Sequence, residues 1–200
     1  MNLITRLDNF KFNPQELVDY YNQLEVNYQD MKWAVADHNI QIDSAEHNAG
    51  GFYNWAIQTD LKDSSKPCPA YEIGLDKSQV DILARYAKPT KLIFGFAEKL
   101  LSRFLDASQT LVVVHPPGCR LGFHIDTGDY VKIHIPIKTN NESIFEYENE
   151  SFKMEVGYAY MARVDVPHAT NNLGNSDRVH LIFRVPTHLA DFMKTTKFNL

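Results

Sequence analysis

Residues 131–137 read Val-Lys-Ile-His-Ile-Pro-Ile, and their alternation decides the fold. Val131, Ile133, Ile135 and Ile137 share one parity; Lys132, His134 and Pro136 share the other. A period of two marks a β-strand with two unlike faces. Residues 178–184 repeat it, with Val179, Leu181 and Phe183 alternating against Arg178, His180 and Ile182. Residues 111–115 (LVVVH) are short and β-branched, as in a buried strand. Turns carrying Gly, Asn and Asp separate the runs at 127–129, 139–142 and 171–177. Each alternating strand is expected to pack its aliphatic face against helices. Lys132, His134, Arg178 and His180 then share the opposite face, a poor arrangement for a dry core unless anions and a metal occupy it.

Upstream the period changes. Asn13 is placed to cap a helix, with Pro14 at its first position and Glu16 three residues after the cap. Leu17, Tyr20, Tyr21 and Leu24 follow at helical spacing. Ser78 and Asp81 suggest a capping box for a short helix. Thr90 is expected to cap a longer one, with Ile93, Phe96, Ala97, Leu100 and Phe104 on one face. Residues 60–76, rich in Ser, Pro, Asp and Lys, read as a surface loop. Helices first and antiparallel strands after imply an α+β fold. The expected architecture is a double-stranded β-helix (jelly-roll, cupin-like) core with N-terminal helices buttressing one sheet. The expected organisation is a single domain over 1–200. Residues 1–108 form mainly helical support and loops, 109–186 the jelly-roll core with the metal site, and 187–200 a C-terminal helix or tail.

At 200 residues the chain is long enough for one domain with a sizeable core. It is 44% hydrophobic and 22% charged, with a net charge of −5, and no basic stripe points to nucleic acid. Cys68 and Cys119 lie far apart and make neither a disulfide framework nor a paired-cysteine zinc pattern. No signal peptide and no membrane span are read in the sequence, so a soluble, reducing, cytoplasmic setting is expected.

The chemistry-bearing residues fall in the second half. His124 and Asp126, two apart on a strand, aim to one side. His168 lies on a later strand. Two His and one carboxylate with open positions make the facial triad of a non-haem Fe(II) oxygenase. Arg178, ten residues after His168, offers a planar fork for a carboxylate.

Three stretches carry a family resemblance: PPGCRLGFHID at 116–126, VKIHIPI at 131–137 and VPHATNNLGNSDRVHLIF at 166–183. Over about residues 110–185 the chain resembles the Fe(II)/2-oxoglutarate dioxygenases, within them the aspartyl/asparaginyl/prolyl hydroxylases. Asp126 makes it look most like the L-proline hydroxylases. The resemblance implies that His124, Asp126 and His168 hold Fe(II) and that Arg178 pairs with the distal carboxylate of 2-oxoglutarate. It implies that His134 contacts the metal-side end of 2-oxoglutarate. Lys132 stands where the family often has Arg, a residue it replaces imperfectly. The implied reaction hydroxylates an unactivated C–H bond, consuming O₂ and turning 2-oxoglutarate into succinate and CO₂.

The candidate substrate contacts are Arg120, Lys132, Tyr53 and Trp55, the last two within an aromatic cluster after Gly50 and Gly51 that reads either as a lid or as core. The substrate implied first is a small molecule, a free amino acid such as proline. The alternatives are an Asp, Asn or Pro residue in a peptide or protein, or a non-oxidative cupin-like ligand-binding role.

Overall fold

The computed structural model describes residues 2–34, 51–59, 86–126 and 128–200. The first elements are β1 (Ile4–Arg6), β2 (Phe10–Lys11) and α1 (Pro14–Asn27), then β3 (Lys32–Ala34), β4 (Tyr53–Ala56), β5 (Gln58–Thr59), β6 (Lys88–Pro89) and α2 (Gly95–Arg103). The core strands are β7 (Ser108–His115), β8 (Arg120–His124), β9 (Tyr130–Lys138), β10 (Ser143–Tyr147), β11 (Ser151–Phe152), β12 (Tyr160–Ala162), β13 (His168–Asn172) and β14 (Arg178–Pro186). A short α3 (Ala190–Thr195) and β15 (Phe198–Asn199) follow.

Two sheets share the core strands. The major sheet runs β1-β12-β9-β14-β7-β4-β3, and the minor sheet runs β11-β10-β13-β8. From β7 to β14 the chain passes repeatedly between them, and every core pairing is antiparallel. This is the double-stranded β-helix, with α1 and α2 on the outer face of the major sheet.

The alternation of 131–137 and 178–184 is realised as expected. Ile133, Ile135, Val179, Leu181 and Phe183 are buried with Val112 and Val114 against Leu17, Tyr20, Tyr21 and Leu24 of α1 and Phe96, Ala97 and Leu100 of α2. Each such side chain contributes about 1.5–3 kcal/mol by leaving water. Asn13 caps α1 by accepting from the Gln15 amide at 3.0 Å. The Tyr20 hydroxyl, buried in this layer, donates to the Leu92 carbonyl at 2.9 Å, which removes the cost of an unpaired polar group.

Two expectations are corrected. The N-terminal part was read as helices and loops, yet β1, β3 and β4 extend the major sheet at its two ends. These strands are three or four residues long, too short for periodicity to reveal; partners already in place define them. Thr90 does not cap α2. Its hydroxyl donates to carbonyls at Ala56 and Ile57 and accepts from the Leu92 amide, so it builds a turn and the helix starts at Gly95. The loop at 60–76 and the capping box at Ser78 and Asp81 lie outside the described residues. Among the described residues no helix is long and apolar enough to cross a membrane.

Candidate metal centre and its polar wall

His124 and His168 are direct partners across β8 and β13, with ring centroids 4.3 Å apart. Each imidazole is turned the same way. His124 Nδ1 lies 2.8 Å from the Gly122 carbonyl, and His168 Nδ1 lies 2.9 Å from that of Val166. A carbonyl can only accept, so this assigns the proton to Nδ1 and leaves Nε2 with a lone pair, as a metal ligand requires. Asp126 follows β8, its amide pinned to the Val164 carbonyl at 2.8 Å. Ligand atoms of the three residues lie within 4.8 Å of one another.

The Asp126 carboxylate divides its duties. Oδ1 lies 4.0 Å from His124 Nε2, on the triad side. Oδ2 accepts from Lys132 Nζ at 2.5 Å and faces Arg184 Nη2 at 3.6 Å. Burial pushes this carboxyl up, but Lys132, Arg184 and His124 outweigh it and hold it well below the usual carboxylate range. It is therefore ionised, with one oxygen turned to the imidazoles. Imidazole nitrogens and a hard carboxylate, gathered on one side, fit a divalent metal such as Fe(II).

The inner face of the major sheet forms the opposing wall, and strand register fixes its layout. Arg178 pairs with His115, and Phe52 packs on His115 at 5.1 Å. One row on, Asn54, Val113, His180 and Pro136 lie side by side. Next come Ala56, Leu111, Ile182, His134 and Tyr160. The last row holds Arg184, Lys132 and Ala162. Phe145 joins wall to triad, edge-on to His134 and stacked on His168, each at 5.4 Å.

This wall is buried and short of partners. Arg178 is 3% exposed, and its nearest acceptors are His115 Nδ1 at 3.4 Å and His180 Nδ1 at 3.3 Å. Burial lowers its guanidinium only to about 10, so it stays charged at neutral pH. Burial, and then Arg178, push His115, His134 and His180 well below the ordinary imidazole range, and all three are neutral. Burial, Lys132 and His124 lower His168 to about 4. Both nitrogens of His134, Nε2 of His180, Nε and Nη1 of Arg184 and both side-chain polar atoms of Asn54 are buried without a hydrogen-bond partner among the described residues. Native interiors hold few such atoms, and here they converge on one face.

The expected site residues divide. His124, Asp126, His168, His134, Arg178 and Lys132 come together on the facing walls. Arg120, Tyr53 and Trp55 do not. The register of β8 against β13 slips between His168/His124 and Thr170/Leu121, so β8 carries a bulge. The bulge returns Leu121 to the inner side, where it packs on the cluster of Phe52 and Ile182. Arg120 is left exposed opposite Asn171, whose side chain reaches outward to Glu146. Tyr53 and Trp55 take the helix-facing parity of β4. Trp55 is fully buried and donates to the Tyr28 carbonyl at 2.9 Å, and the Tyr53 hydroxyl donates to Glu25 at 3.3 Å. They are core, not lid. Asn54 between them takes the inner face. Asn54 and Arg184 are the wall residues that sequence reasoning missed. His38 and His47, which stand in no ligand pattern in the sequence, lie outside the described residues.

The family described as aspartyl/asparaginyl beta-hydroxylase matches residues 81–187, more than half of the chain. No curated protein matches. Similar solved structures are distant. An oxidoreductase of the 2OG-Fe(II) oxygenase family from Burkholderia pseudomallei shares 14% identity over 90% of this chain and 95% of that one, with a TM-score of 0.46. A viral collagen prolyl hydroxylase from Paramecium Bursaria Chlorella virus-1 shares 11% identity over 48% and 74%, with a TM-score of 0.37. A cupin domain from Bordetella pertussis shares 18% over 40% and 80%, with a TM-score of 0.34. With over half of its length matched by that one family, the chain belongs to the aspartyl/asparaginyl beta-hydroxylases.

Proposed function

We propose that this protein is an Fe(II)- and 2-oxoglutarate-dependent hydroxylase whose substrate is a free amino acid, proline being the first candidate. The observation that carries the reading is the facing pair of walls. On one side, two imidazoles and an ionised carboxylate have ligand atoms within 4.8 Å of one another. On the other, Arg178 is buried and charged with no carboxylate beside it among the described residues. A buried guanidinium without a counter-charge is costly in the free protein, and an incoming carboxylate relieves the cost.

His124 and His168 would hold the metal through Nε2, with Nδ1 donating to the Gly122 and Val166 carbonyls. Asp126 would bind through Oδ1, while Lys132 and Arg184 keep Oδ2 turned away. Arg178 would take the distal carboxylate of 2-oxoglutarate in a fork, its plane held between His115 and His180. His134, neutral and unpartnered, would donate to the metal-side end. Lys132 would border the substrate. Bound Fe(II), with 2-oxoglutarate and O₂, supplies the oxidising power that puts one oxygen on a C–H bond while 2-oxoglutarate becomes succinate and CO₂. Carboxylate-bearing Asp126 also leaves no room for the halide that a halogenating relative needs. We take the chain to act as one domain in a reducing cytoplasm, where the buried Cys119 thiol, pushed up by burial to about 12, stays protonated.

The test is turnover by the iron-loaded protein under air with 2-oxoglutarate and a panel of free amino acids and short peptides. Succinate should appear with a product one oxygen heavier than a free amino acid. Succinate with peptides alone would move the substrate to a peptide residue. No succinate, despite bound iron, would favour a non-oxidative binding protein.

A further inference from the structure

The inner face carries more positive charge than one dicarboxylate can offset. Arg178, Lys132 and Arg184 all stand on it, and Asp126 is the acid with which the last two pair. A divalent ion on the triad would add two charges, and 2-oxoglutarate would return two. The remainder is positive, and buried charge of one sign is expensive.

The surplus is localised at Arg184. It is 6% exposed. Its Nη2 is 3.6 Å from Asp126, beyond hydrogen-bond range, and its Nε and Nη1 are buried without a hydrogen-bond partner among the described residues. Its guanidinium lies 4.3 Å over the Tyr130 ring, which fixes its plane. Lys132 is its direct neighbour across β9 and β14. Arg178 stands six residues earlier on the same strand, a backbone separation of roughly 20 Å at a rise of about 3.3 Å per residue. A five-carbon diacid held at Arg178 spans only a fraction of that length. The metal triad lies between the two: Phe145 stacks on His168 and meets His134 midway along the face, and Asp126 turns Oδ1 to His124 and Oδ2 to Arg184.

We infer that Arg184, with Lys132 beside it, docks a carboxylate of the substrate, so that the substrate is recognised as an acid on the side of Asp126 away from the metal. This rests on the function proposed above and names the substrate's chemistry. Either fork of the guanidinium, Nε with Nη2 or Nη1 with Nη2, has hydrogens to offer, and a carboxylate accepts two in parallel. The α-carboxylate of a free amino acid and the side-chain carboxylate of an aspartyl peptide share this chemistry.

Binding, rather than turnover, tests it. The full chain is loaded with zinc in place of iron, saturated with 2-oxoglutarate and titrated calorimetrically in two arms. One arm holds the free amino acids and their amides. The other holds end-blocked pentapeptides centred on Asp or on Asn. At least one acid should bind, and its amide should not. Arg184→Gln should weaken that acid on the order of 10- to 100-fold while leaving 2-oxoglutarate within about twofold. Arg184→Lys, which keeps charge and stem but loses the fork, should fall between, and it decides the matter if Arg184→Gln does not fold. Binding in the first arm assigns the α-carboxylate; binding of the Asp peptide alone assigns the side chain. Equal binding of acid and amide, unchanged affinity in both Arg184 variants, or no acid bound in either arm overturns the inference. Failure of 2-oxoglutarate itself to bind the zinc-loaded wild type is a separate result, and it overturns the proposed function.

Discussion

On the helix side of the major sheet, Val179, Leu181, Phe183 and Val185 of β14 are buried among aliphatic and aromatic partners; on the other side Arg178, His180 and Arg184 are nearly as buried, and His180 Nε2 and Arg184 Nε and Nη1 find no hydrogen-bond partner among the described residues. One strand thus does opposite things on its two faces. The outer face gains free energy by leaving water. The inner face loses it, because its polar atoms gave up water and regained little in the protein. Equal burial therefore has two meanings: where partners are complete the residue holds the fold, and where they are missing it awaits a ligand.

Substitutions on the two faces should part company. Asp126→Ala should have the largest effect, lowering metal-dependent succinate formation by a factor of about 1,000 or more. It should also cost about 1–3 kcal/mol of stability, because Lys132 and Arg184 lose their shared counter-charge. A variant that turns over normally would remove Asp126 from the triad. On the outer face, Phe183→Ala should cost about 3–5 kcal/mol in denaturant unfolding, with the metal affinity of the surviving folded protein unchanged. Equal losses of stability and affinity would deny that the faces are separable. Arg178→Gln should reverse that pattern, raising the 2-oxoglutarate requirement about 10- to 100-fold while leaving the melting temperature unchanged or higher. A marked fall in melting temperature would make Arg178 a structural residue. Arg120→Ala, on the outside of β8, should stay within about 0.5 kcal/mol of wild type and leave substrate affinity unaltered. A loss of affinity there would overturn the bulge-based placement.

Periodic features were legible in the chain. The parity of 131–137 and 178–184 announced both faces, and the pattern of His124, Asp126 and His168 announced three residues that the fold brings together. Parity also held the signal for Arg184, which stands in phase with Arg178 and His180 and needed only the run carried one step further. What was hidden depends on partners distant in sequence. Tyr53 and Trp55 drew attention as aromatics, but only pairing of β4 with β7 tells which face they take, and it gives the inner face to Asn54. Arg120 would share the side of His124 on an unbroken strand; the extra residue in β8, near Gly122, breaks the count. The short strands β1 and β3 have too few residues to show a period and exist because β12 and β4 offer them an edge.

The most direct measurement is an anaerobic titration of 2-oxoglutarate into the iron-loaded protein, repeated without iron and with Arg178→Gln. The expected result is stoichiometric binding that needs the metal and weakens in the variant, while iron affinity stays the same. Binding indifferent to iron and to Arg178 would contradict the assignment of the inner face as the metal and 2-oxoglutarate site.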